Sequence, residues 1–483
     1  MRKMTFLKNK IENMPLQVKA SAAFVICSFM QRGISTLTTP IFTRILTTEQ
    51  YGYYSIFNSW LDILAVFTTL KLAGGVFTQA LIKFESRRDE LTASTAGLGT
   101  TLTLCSIVLY IPFRNMINPL LGMNTLIMLC IFIASWATLM FELWASRQRV
   151  EYQYKSIVAL TLFTSVAKPF FGIIAVLSTQ TYKAEARIVS LVFVEVLSYF
   201  GLFAVFLKRG KTFFHKQFWK YFLSLNIPLI PHYLTRTVLN QSDRLMINIM
   251  VGYSSAGIYS LAYNLAWMLN LITTSILNTF NPWMYQRMKK KEFHRIGPFS
   301  YFLLGIVAVC VLGFVSIAPE LIKIFAPIEY YEAMWVIPPV TASVYFLFMY
   351  SLYANFEFYF EKSKFMMAAS TIGGLLNIIL NYIFIKLFGY IAAGYTTLIC
   401  YIFYSIAHYY CMKRIAAKEL HGICIYDMKK IILISSGMLL STLFMLMLYK
   451  NPIIRYGVLF VMIFMIYLKR YRMFSVIKEL KKN

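Results

Sequence analysis

Apolar stretches as long as a membrane-spanning helix recur along the whole chain, and this pattern decides the fold class. A helix needs about 20 residues to cross a hydrocarbon core of ~30 Å. The stretches are too long for barrel strands and lack alternating polarity, so helices must satisfy the backbone hydrogen bonds inside lipid. No long polar block separates them. The sequence therefore predicts an all-α membrane protein with about 14 transmembrane helices and no separate soluble domain. The predicted spans, numbered from the N-terminus, are residues 20–45, 53–79, 92–112, 125–146, 156–178, 187–207, 221–249, 255–282, 298–325, 334–359, 365–386, 390–411, 431–448 and 453–468.

The basic residues are distributed unequally between the two ends of these spans. With the N-terminus inside, 34 Lys and Arg lie on the inner side, and 8 lie in the outer loops or in the outermost turn of a span. The positive-inside rule then predicts a multi-pass protein of the bacterial inner membrane with both termini in the cytoplasm. The net charge of +27 is spread over many short loops, which favours this topology over a nucleic-acid partner. We interpret the basic runs at 208–211 and 289–291 as ordinary cytoplasmic loop charges.

Residue types that would indicate other classes of protein are scattered. The seven cysteines form no CxxC pair and the five histidines show no ligand spacing, so neither disulfides nor a metal site is predicted. The basic N-terminus precedes an apolar stretch that runs past Gln31 and Arg32 without a small-residue cleavage site, which favours a retained first helix over a signal peptide. No cofactor is expected.

A short internal repeat predicts two lobes. Gly52, Tyr54 and Ser55 match Gly257, Tyr259 and Ser260 at an offset of 205, each set just outside the first span of a group of six. Six is an even number, so the copies face the same way, as in a parallel repeat. We expect an N-terminal lobe of spans 1–6 (residues 1–207), a C-terminal lobe of spans 7–12 (208–412), and an addition of spans 13–14 with a basic tail (413–483).

Ionisable residues inside the spans are the candidate site, because they are costly in lipid unless they face a cavity or a partner. Arg32 with Asp62, and Lys168 with Glu195, lie at similar depths on consecutive spans, where structural ion pairs and cavity roles both remain open. Lys71 lies near an inner end and could instead reach the interface. The candidates are Arg32, Asp62, Lys71, Lys168, Glu195, Arg236, Asp243 and Arg244.

Arg236 stands out because span 8, which follows it, carries no charge. An arginine at the centre of a lobe suits an anionic group of a substrate, although a pair with a distant carboxylate is the alternative. Polar stripes favour an aqueous cavity, with interhelical hydrogen bonding as the alternative. Pro228 and Pro231 can bend span 7. The stripes are Arg32, Ser35, Thr36, Thr39 and Thr43; Ser260, Asn264, Thr274, Asn278 and Asn281; and Ser370, Gly374, Asn377 and Asn381.

Four stretches carry a resemblance to the polysaccharide-lipid flippases of the multidrug/oligosaccharidyl-lipid/polysaccharide exporter superfamily. They are residues 37–46 with Tyr51-Gly52; Asp243-Arg244 with 257–260; 318–323 with Tyr330, Ala333 and Pro338; and 376–381 with Gly389 and Ala392-Ala393. Ala392 stands where a second glycine is usual, and Ala326-Pro327 replaces a glycine-containing turn. Both departures concern packing and turn geometry.

The resemblance implies a two-lobe transporter that moves undecaprenyl-diphosphate-linked oligosaccharides to the outer leaflet by alternating access, for O-antigen, capsule or exopolysaccharide synthesis. It implies that basic residues in the cavity hold the diphosphate, and Arg32 and Arg236 fit that role. The expected substrate-binding set is Arg32, Arg236, Lys168, Asp62, Arg244, Asn264 and Asn377. The resemblance also implies membrane lipids, a polysaccharide polymerase and glycosyltransferases as partners, and leaves coupling to protons, sodium or the membrane potential open.

Two other functions compete with this interpretation. A cation-coupled multidrug antiporter of the same superfamily shares the topology, but its site would favour carboxylates. In spans 1 and 7 the basic groups outnumber the acidic ones. A membrane-embedded enzyme, such as a repeat-unit polymerase, would be expected to carry a long outer loop or a histidine at mid-membrane. Only His232, one turn before Arg236, approaches that position. We therefore expect a transporter and not an enzyme.

Overall fold

The structure is a computed structural model. It describes residues 15–361, 363–420, 422–423 and 425–468. Within these ranges the side chains of Val18, Arg236, 363–367, 369–370, 462–463 and 465–468 lie outside the description. All regular secondary structure in the described residues is helical, which confirms the all-α class. The α-helices are α1 (Leu16–Ile45), α2 (Thr48–Thr69), α3 (Gly75–Lys83), α4 (Arg88–Leu121), α5 (Thr125–Val150), α6 (Tyr154–Leu177), α7 (Lys183–Gly210), α8 (Lys216–Asn226), α9 (Ile230–Met250), α10 (Tyr253–Ala266), α11 (Leu269–Lys289), α12 (Ile296–Ser316), α13 (Ala318–Phe325), α14 (Ile337–Tyr359), α15 (Ser363–Phe388), α16 (Ala392–Glu419), α17 (Met428–Met447) and α18 (Pro452–Leu468).

Each of the fourteen predicted spans coincides with a helix or with a pair of helices separated by a short break. Within the described ranges, eight helical segments are by themselves long and apolar enough to cross a membrane, and they coincide with spans 3–6, 9–11 and 13. Spans 1, 2, 7, 8, 12 and 14 fall short of that length and hydropathy within the described ranges. Four of these six are the first two spans of each predicted lobe.

Four of the predicted spans are interrupted in the described residues, and the break in span 9 lies at Ile317, between α12 and α13. Span 2 breaks between α2 and α3, where Leu70 and Lys71 both adopt a left-handed conformation with φ of 48°. Non-glycine residues rarely adopt that conformation, so the turn carries strain. Span 7 breaks into a 3-10 turn at Ile227–Leu229. Pro228 removes a backbone donor there, and the predicted proline bend is confirmed. Span 8 breaks between α10 and α11 at Trp267-Met268.

Two compact units divide the chain, residues 1–241 and 242–483, with the boundary inside α9. The core of the first unit lies between α3, α4, α5 and α8. Phe218 and Phe222, on the buried face of α8, pack with Phe77 and Phe84. Burying a phenylalanine contributes roughly 1.5–3 kcal/mol, which holds the otherwise exposed α8 in place. The predicted division into residue sets 1–207, 208–412 and 413–483 remains a prediction about repeats.

In the second unit α14 is the central helix. It packs along most of its length against α16 and is buried on nearly every side. The last two helices attach to the same unit through α12, α13 and α14. The hydroxyls of Tyr345 and Ser435 lie 3.0 Å apart, and Tyr449 donates to the Val315 carbonyl at 3.0 Å. The fully buried guanidinium of Arg455 donates to Glu320.

The two copies of the repeat occupy the same helical position. Gly52 is the fifth residue of α2 and Gly257 is the fifth residue of α10. Both glycines are buried, as are Ser55 and Ser260. Close helix contact at a small residue gives a physical reason for the matching sequence.

Candidate functional site

A polar cavity of about 280 Å³ lies inside the first unit, between α1, α2, α6 and α7. Hydroxyl groups of α1 and α6 form much of its wall, and an aromatic and basic end closes it near the start of α7. Such hydroxyls can hydrogen-bond water or a sugar. The polar lining residues are Gln31, Ser35, Thr38, Tyr54, Thr161, Thr164, Ser165, Lys168, Arg187 and Tyr199.

A second cavity of about 650 Å³ continues from the first toward the inner end of the same unit. The two cavities share Gln31, Phe141, Lys168 and Tyr199 as walls. The second cavity also contains Glu195, the charged residues of the inner half and polar residues of α9. These further polar residues are Lys71, Glu142, Ser146, Arg149, Tyr233, Thr237 and Asn240.

An ion pair stands where the two cavities meet. Lys168 Nζ on α6 lies 2.5 Å from Glu195 Oε1 on α7. Glu195 is buried, whereas 28% of the Lys168 side chain remains exposed. The predicted pair of Lys168 with Glu195 is therefore present, and its lysine also faces the cavity. The sequence left an ion pair and a cavity role open for Lys168, and the structure shows both.

Arg187 closes the outer end of the smaller cavity. Its guanidinium carbon lies 3.6 Å from the ring centre of Tyr54 and 3.7 Å from that of Phe42. Aromatic rings on these two helices thus hold the cation by cation–π attraction. A guanidinium held in this way keeps its fixed fork of donors, which suits carboxylate or phosphate oxygens.

Lys71 owes its position to the break in span 2. The left-handed residues Leu70 and Lys71 turn the chain out of α2, and Lys71 lines the larger cavity. Glu142 and Arg149 on α5 line the same cavity. Irregular backbone at membrane depth is tolerated where it borders a water-filled space. The turn therefore borders the larger cavity, and the reach of Lys71 to the interface stays the alternative.

Four cations therefore follow one another through the first unit, from Arg187 at the outer end of α7 to Arg149 at the inner end of α5. Two carboxylates, Glu142 and Glu195, accompany them. The cations exceed the carboxylates by two, so these walls attract anions. We refer to Arg187, Lys168, Lys71 and Arg149 as the cation track.

The face of α1 that lines the cavity shares only Ser35 with the predicted stripe. Gln31, Ser35, Thr38 and Phe42 form the lining. The predicted stripe began at Arg32, which is exposed and is not among the lining residues. Adjacent residues on a helix point about 100° apart, so an error of one position moves the whole stripe to another face.

Asp62 takes part in a local hydrogen-bond chain. Gln241 donates from Nε2 to Asp62 Oδ2 at 2.7 Å, and Ser59 donates to Gln241 Oε1 at 3.0 Å. Among the ion pairs of the described residues, none joins Asp62 to Arg32. The other predicted arginine, Arg236, lies in α9, and its side chain is outside the described part of the structure.

Two predicted site residues of the second unit meet each other. Arg244 Nη2 donates to Asn264 Oδ1 at 3.1 Å, and its guanidinium carbon lies 4.7 Å from the ring centre of Tyr263. Asn264 is exposed and Arg244 is partly so. This arrangement again holds an arginine against an aromatic ring.

Asn377 belongs to a buried network centred on Asp243. Its amide oxygen accepts from Ser242 at 2.7 Å and from Asn381 at 3.2 Å. Asp243 accepts from Tyr259, Asn381 and Thr397 at 2.6–2.7 Å. Asn377 is 1% exposed and is not among the lining residues of the two cavities. Its contacts are those of interhelical packing.

Sequence reasoning missed several charged residues of the two cavities. Arg187 is the first residue of predicted span 6, Glu142 lies one turn before the inner end of span 4, and Arg149 lies just beyond that end, so none was counted as a mid-membrane charge. A charged residue close to a span end was the available signal. Metal-binding groups of three or more His, Cys, Asp or Glu are absent from the described residues.

The chain is similar to several known proteins. Residues 18–288 match the family described as "Polysaccharide biosynthesis protein". The Haemophilus influenzae "Lsg locus putative protein 1" is 22% identical over 391 residues, covering 74% of this chain and 89% of that protein. A structure of the lipid II flippase MurJ, in an inward closed conformation, matches with a TM-score of 0.69 at 17% identity, covering 93% of this chain and 99% of that one.

A second structural match has the same architecture. An inward-facing multidrug resistance MATE family transporter of the MOP superfamily reaches a TM-score of 0.62 at 11% identity, covering 82% of this chain and 98% of that one. At these identities the structural matches establish the fold alone. The resemblance stated from the sequence is confirmed, and the fold is that of multi-pass membrane transporters.

Proposed function

The chain belongs to the polysaccharide biosynthesis protein family, and on that premise we propose that it is a flippase for lipid-linked oligosaccharides. Its substrate is a repeat unit on undecaprenyl diphosphate, which it carries from the cytoplasmic to the outer leaflet by alternating access. The protein acts in the bacterial inner membrane with both termini in the cytoplasm, supplying surface polysaccharide synthesis. A polysaccharide polymerase and glycosyltransferases are its proposed partners.

The cation track is the observation that carries this proposal. A diphosphate is an anion that cannot enter hydrocarbon unless charges of opposite sign accompany it. The cation track offers such charges one after another, from one end of the first unit to the other. Charge-assisted hydrogen bonds to phosphate oxygens are strong in an environment of low dielectric constant. Glu142 and Glu195 weaken the attraction between the cation track and the anion, so that the anion can be released.

The remaining walls suit the other parts of the substrate. Hydroxyl and amide groups from α1, α6 and α9 can hydrogen-bond the sugars. The polyprenyl chain needs only lipid, and many large apolar side chains of α4, α6 and α7 are exposed in the isolated chain. The diphosphate thus lies among cations, the sugars lie among polar side chains, and the polyprenyl chain stays in lipid. Arg32, Asp62, Arg236, Arg244, Asn264 and Asn377 remain proposed contacts.

Substitution of Lys71 by Gln tests the proposal in cells that lack their own copy of the protein. Loss of one charged hydrogen-bonding group costs about 1.5–3 kcal/mol, or roughly 10- to 100-fold in transport. Surface polysaccharide should fall by that factor, lipid-linked intermediates should accumulate inside, and Lys71→Arg should restore part of the display.

Arg236→Ala should abolish display while the protein stays in the membrane.

The matched control is Lys290→Gln in the exposed turn after α11, which should display normally. Immunoblots of membranes must show equal amounts of every variant. Normal display by both Lys71→Gln and Arg236→Ala would exclude the central-cation mechanism. Loss of resistance to cationic dyes, with polysaccharide unchanged, would support the drug antiporter instead.

A further inference from the structure

A carboxylate and an imidazole form a buried pair in the second unit, away from the cation track. Glu357 Oε1 on α14 lies 2.6 Å from His408 Nδ1 on α16. Glu357 is fully buried and His408 is 1% exposed. Ionisable pairs at such depth in a membrane protein are rare and are found in proton pathways.

The pair has room for one more proton. Glu357 Oε2 and His408 Nε2 are buried, and neither has a hydrogen-bond partner among the described residues. With one proton, His408 donates from Nδ1 to the carboxylate and Nε2 is an unoccupied acceptor. A second proton binds at Nε2 without breaking the 2.6 Å bond. The pair then changes from a net charge of −1 to an ion pair of zero net charge.

A purely structural tie does not account for the pair. The helices α14 and α16 already pack along most of their length. Ser405 donates to the Phe346 carbonyl at 2.8 Å, and a Cβ at Gly394 would lie 3.1 Å from Pro339. Replacing a buried ion pair by apolar side chains of similar size is often neutral or stabilising. A function other than helix attachment is therefore the better explanation.

The surroundings of the pair are aromatic. The rings of Tyr350 and Tyr404 lie 4.8 Å and 6.0 Å from the His408 ring. Cys411 lies beside Glu357. The positive charge of Arg414, one turn further along α16, lies within electrostatic reach of Cys411. Other elements contribute Tyr285 of α11, which donates to Asn355, and Tyr426 before α17, which packs on Phe356. From α15, residues 363–367 and 369–370 have side chains outside the described part.

The pair lies toward the predicted cytoplasmic end of its helices. Glu357 is two residues before the end of α14, and His408 precedes the basic residues Lys413 and Arg414 of α16. A proton can therefore exchange with the cytoplasm over a short distance. Once both protons are bound, the pair has zero net charge and needs no further counter-charge.

We infer that Glu357 and His408 form a proton-binding site through which proton uptake is coupled to the transport cycle. One proton passes from cytoplasmic water to His408 Nε2, and the same proton returns to water when the site is next exposed. The binding step stands independently of the substrate, whereas the coupling step rests on the proposed flippase function.

Histidine titration of the full chain tests the binding step. The protein, labelled with ¹⁵N-histidine and held in lipid nanodiscs, is followed by NMR, and the His408 signal is identified by its loss in His408→Gln. That signal should report reversible proton binding when the pH of the sample is varied, and its response should differ in Glu357→Gln. A His408 signal that does not respond to pH would overturn the inference.

Vesicle transport tests the coupling step with a fluorescent undecaprenyl-diphosphate-linked disaccharide as the probe. A pH gradient should accelerate translocation by the unchanged protein, and this acceleration should disappear in His408→Gln and Glu357→Gln while exchange without a gradient persists. His294→Gln, in an exposed turn, is the matched control. Unchanged acceleration in both variants would contradict coupling at this pair. If the unchanged protein does not move the probe, the proposed function fails, and the NMR titration still decides the proton site.

Discussion

At the scale of single residues, the informative groups are charges that the chain keeps away from water. Lys168 and Glu195 lie at similar depth on consecutive spans, which left an ion pair and a cavity role open, and the two side chains do form a pair. The face of α1 and the role of Arg187 were not predictable in the same way. A stripe of small polar residues has several possible faces, and an arginine near a span end is read as a loop charge until its neighbours are known.

Removing Lys168 alone should destabilise the protein strongly. Lys168→Met leaves Glu195 buried without its cation, which costs about 3–5 kcal/mol, whereas Lys168→Met with Glu195→Leu removes both charges and should recover most of that loss. Thermal unfolding of the three proteins in one detergent measures the difference. Equal melting temperatures for the single and double variants would show that the pair is not coupled.

Glu292 gives a prediction for pH. Arg287 donates to it at 2.5 Å, and this bond, with Arg295 nearby, holds the pKa of Glu292 below its usual value. A depressed pKa means that the pair stabilises the protein above the ordinary pKa of glutamate, about 4.3, and that the effect is lost as the pH falls through the lower, folded value.

Melting curves measure this effect as a function of pH. The unchanged protein should melt at a slightly higher temperature than Glu292→Gln at neutral pH, and the two curves should converge in acid. A difference that grows on acidification would contradict the assignment.

At the scale of elements, helix contacts depend on glycine at a few positions. A Cβ on Gly97 of α4 would lie 2.1 Å from the carbonyl oxygen of Phe213. Gly97→Ala should therefore cost about 1–3 kcal/mol, because backbone must shift. Gly201→Ala on α7, where nothing lies within 4 Å, is the matched control and should be neutral or slightly stabilising. Denaturation monitored by tryptophan fluorescence compares them, and equal losses would refute the contact.

Helix existence was predictable from apolar length, but the breaks were only partly so. Pro228 indicated the interruption of span 7, because proline lacks the backbone N–H that would donate a helical hydrogen bond. The turn at Leu70 and Lys71 had no such signal, because both residues are ordinary helix formers. Tertiary contacts must impose it. Tyr233 of α9 reaches to within 3.5 Å of a Cβ position on Gly74, directly after the turn.

At the scale of the whole molecule, the predicted orientation of the chain can be measured directly. Alkaline phosphatase fused after Gln180, in the turn between α6 and α7, should be active because that turn is predicted to lie outside. The same enzyme fused after Lys211 should be inactive, and a fluorescent protein fused to the C-terminus should fold and emit. The opposite pattern at these three positions would reverse the orientation.

The buried contact between Arg455 and Glu320 has a consequence for biosynthesis. Ribosomes deliver α13 to the membrane well before α18, and a buried arginine without a counter-charge is costly in a membrane helix. When α18 is made, the carboxylate of Glu320 is already present to accept from Arg455. The order of synthesis therefore supplies the acceptor before the buried cation that needs it.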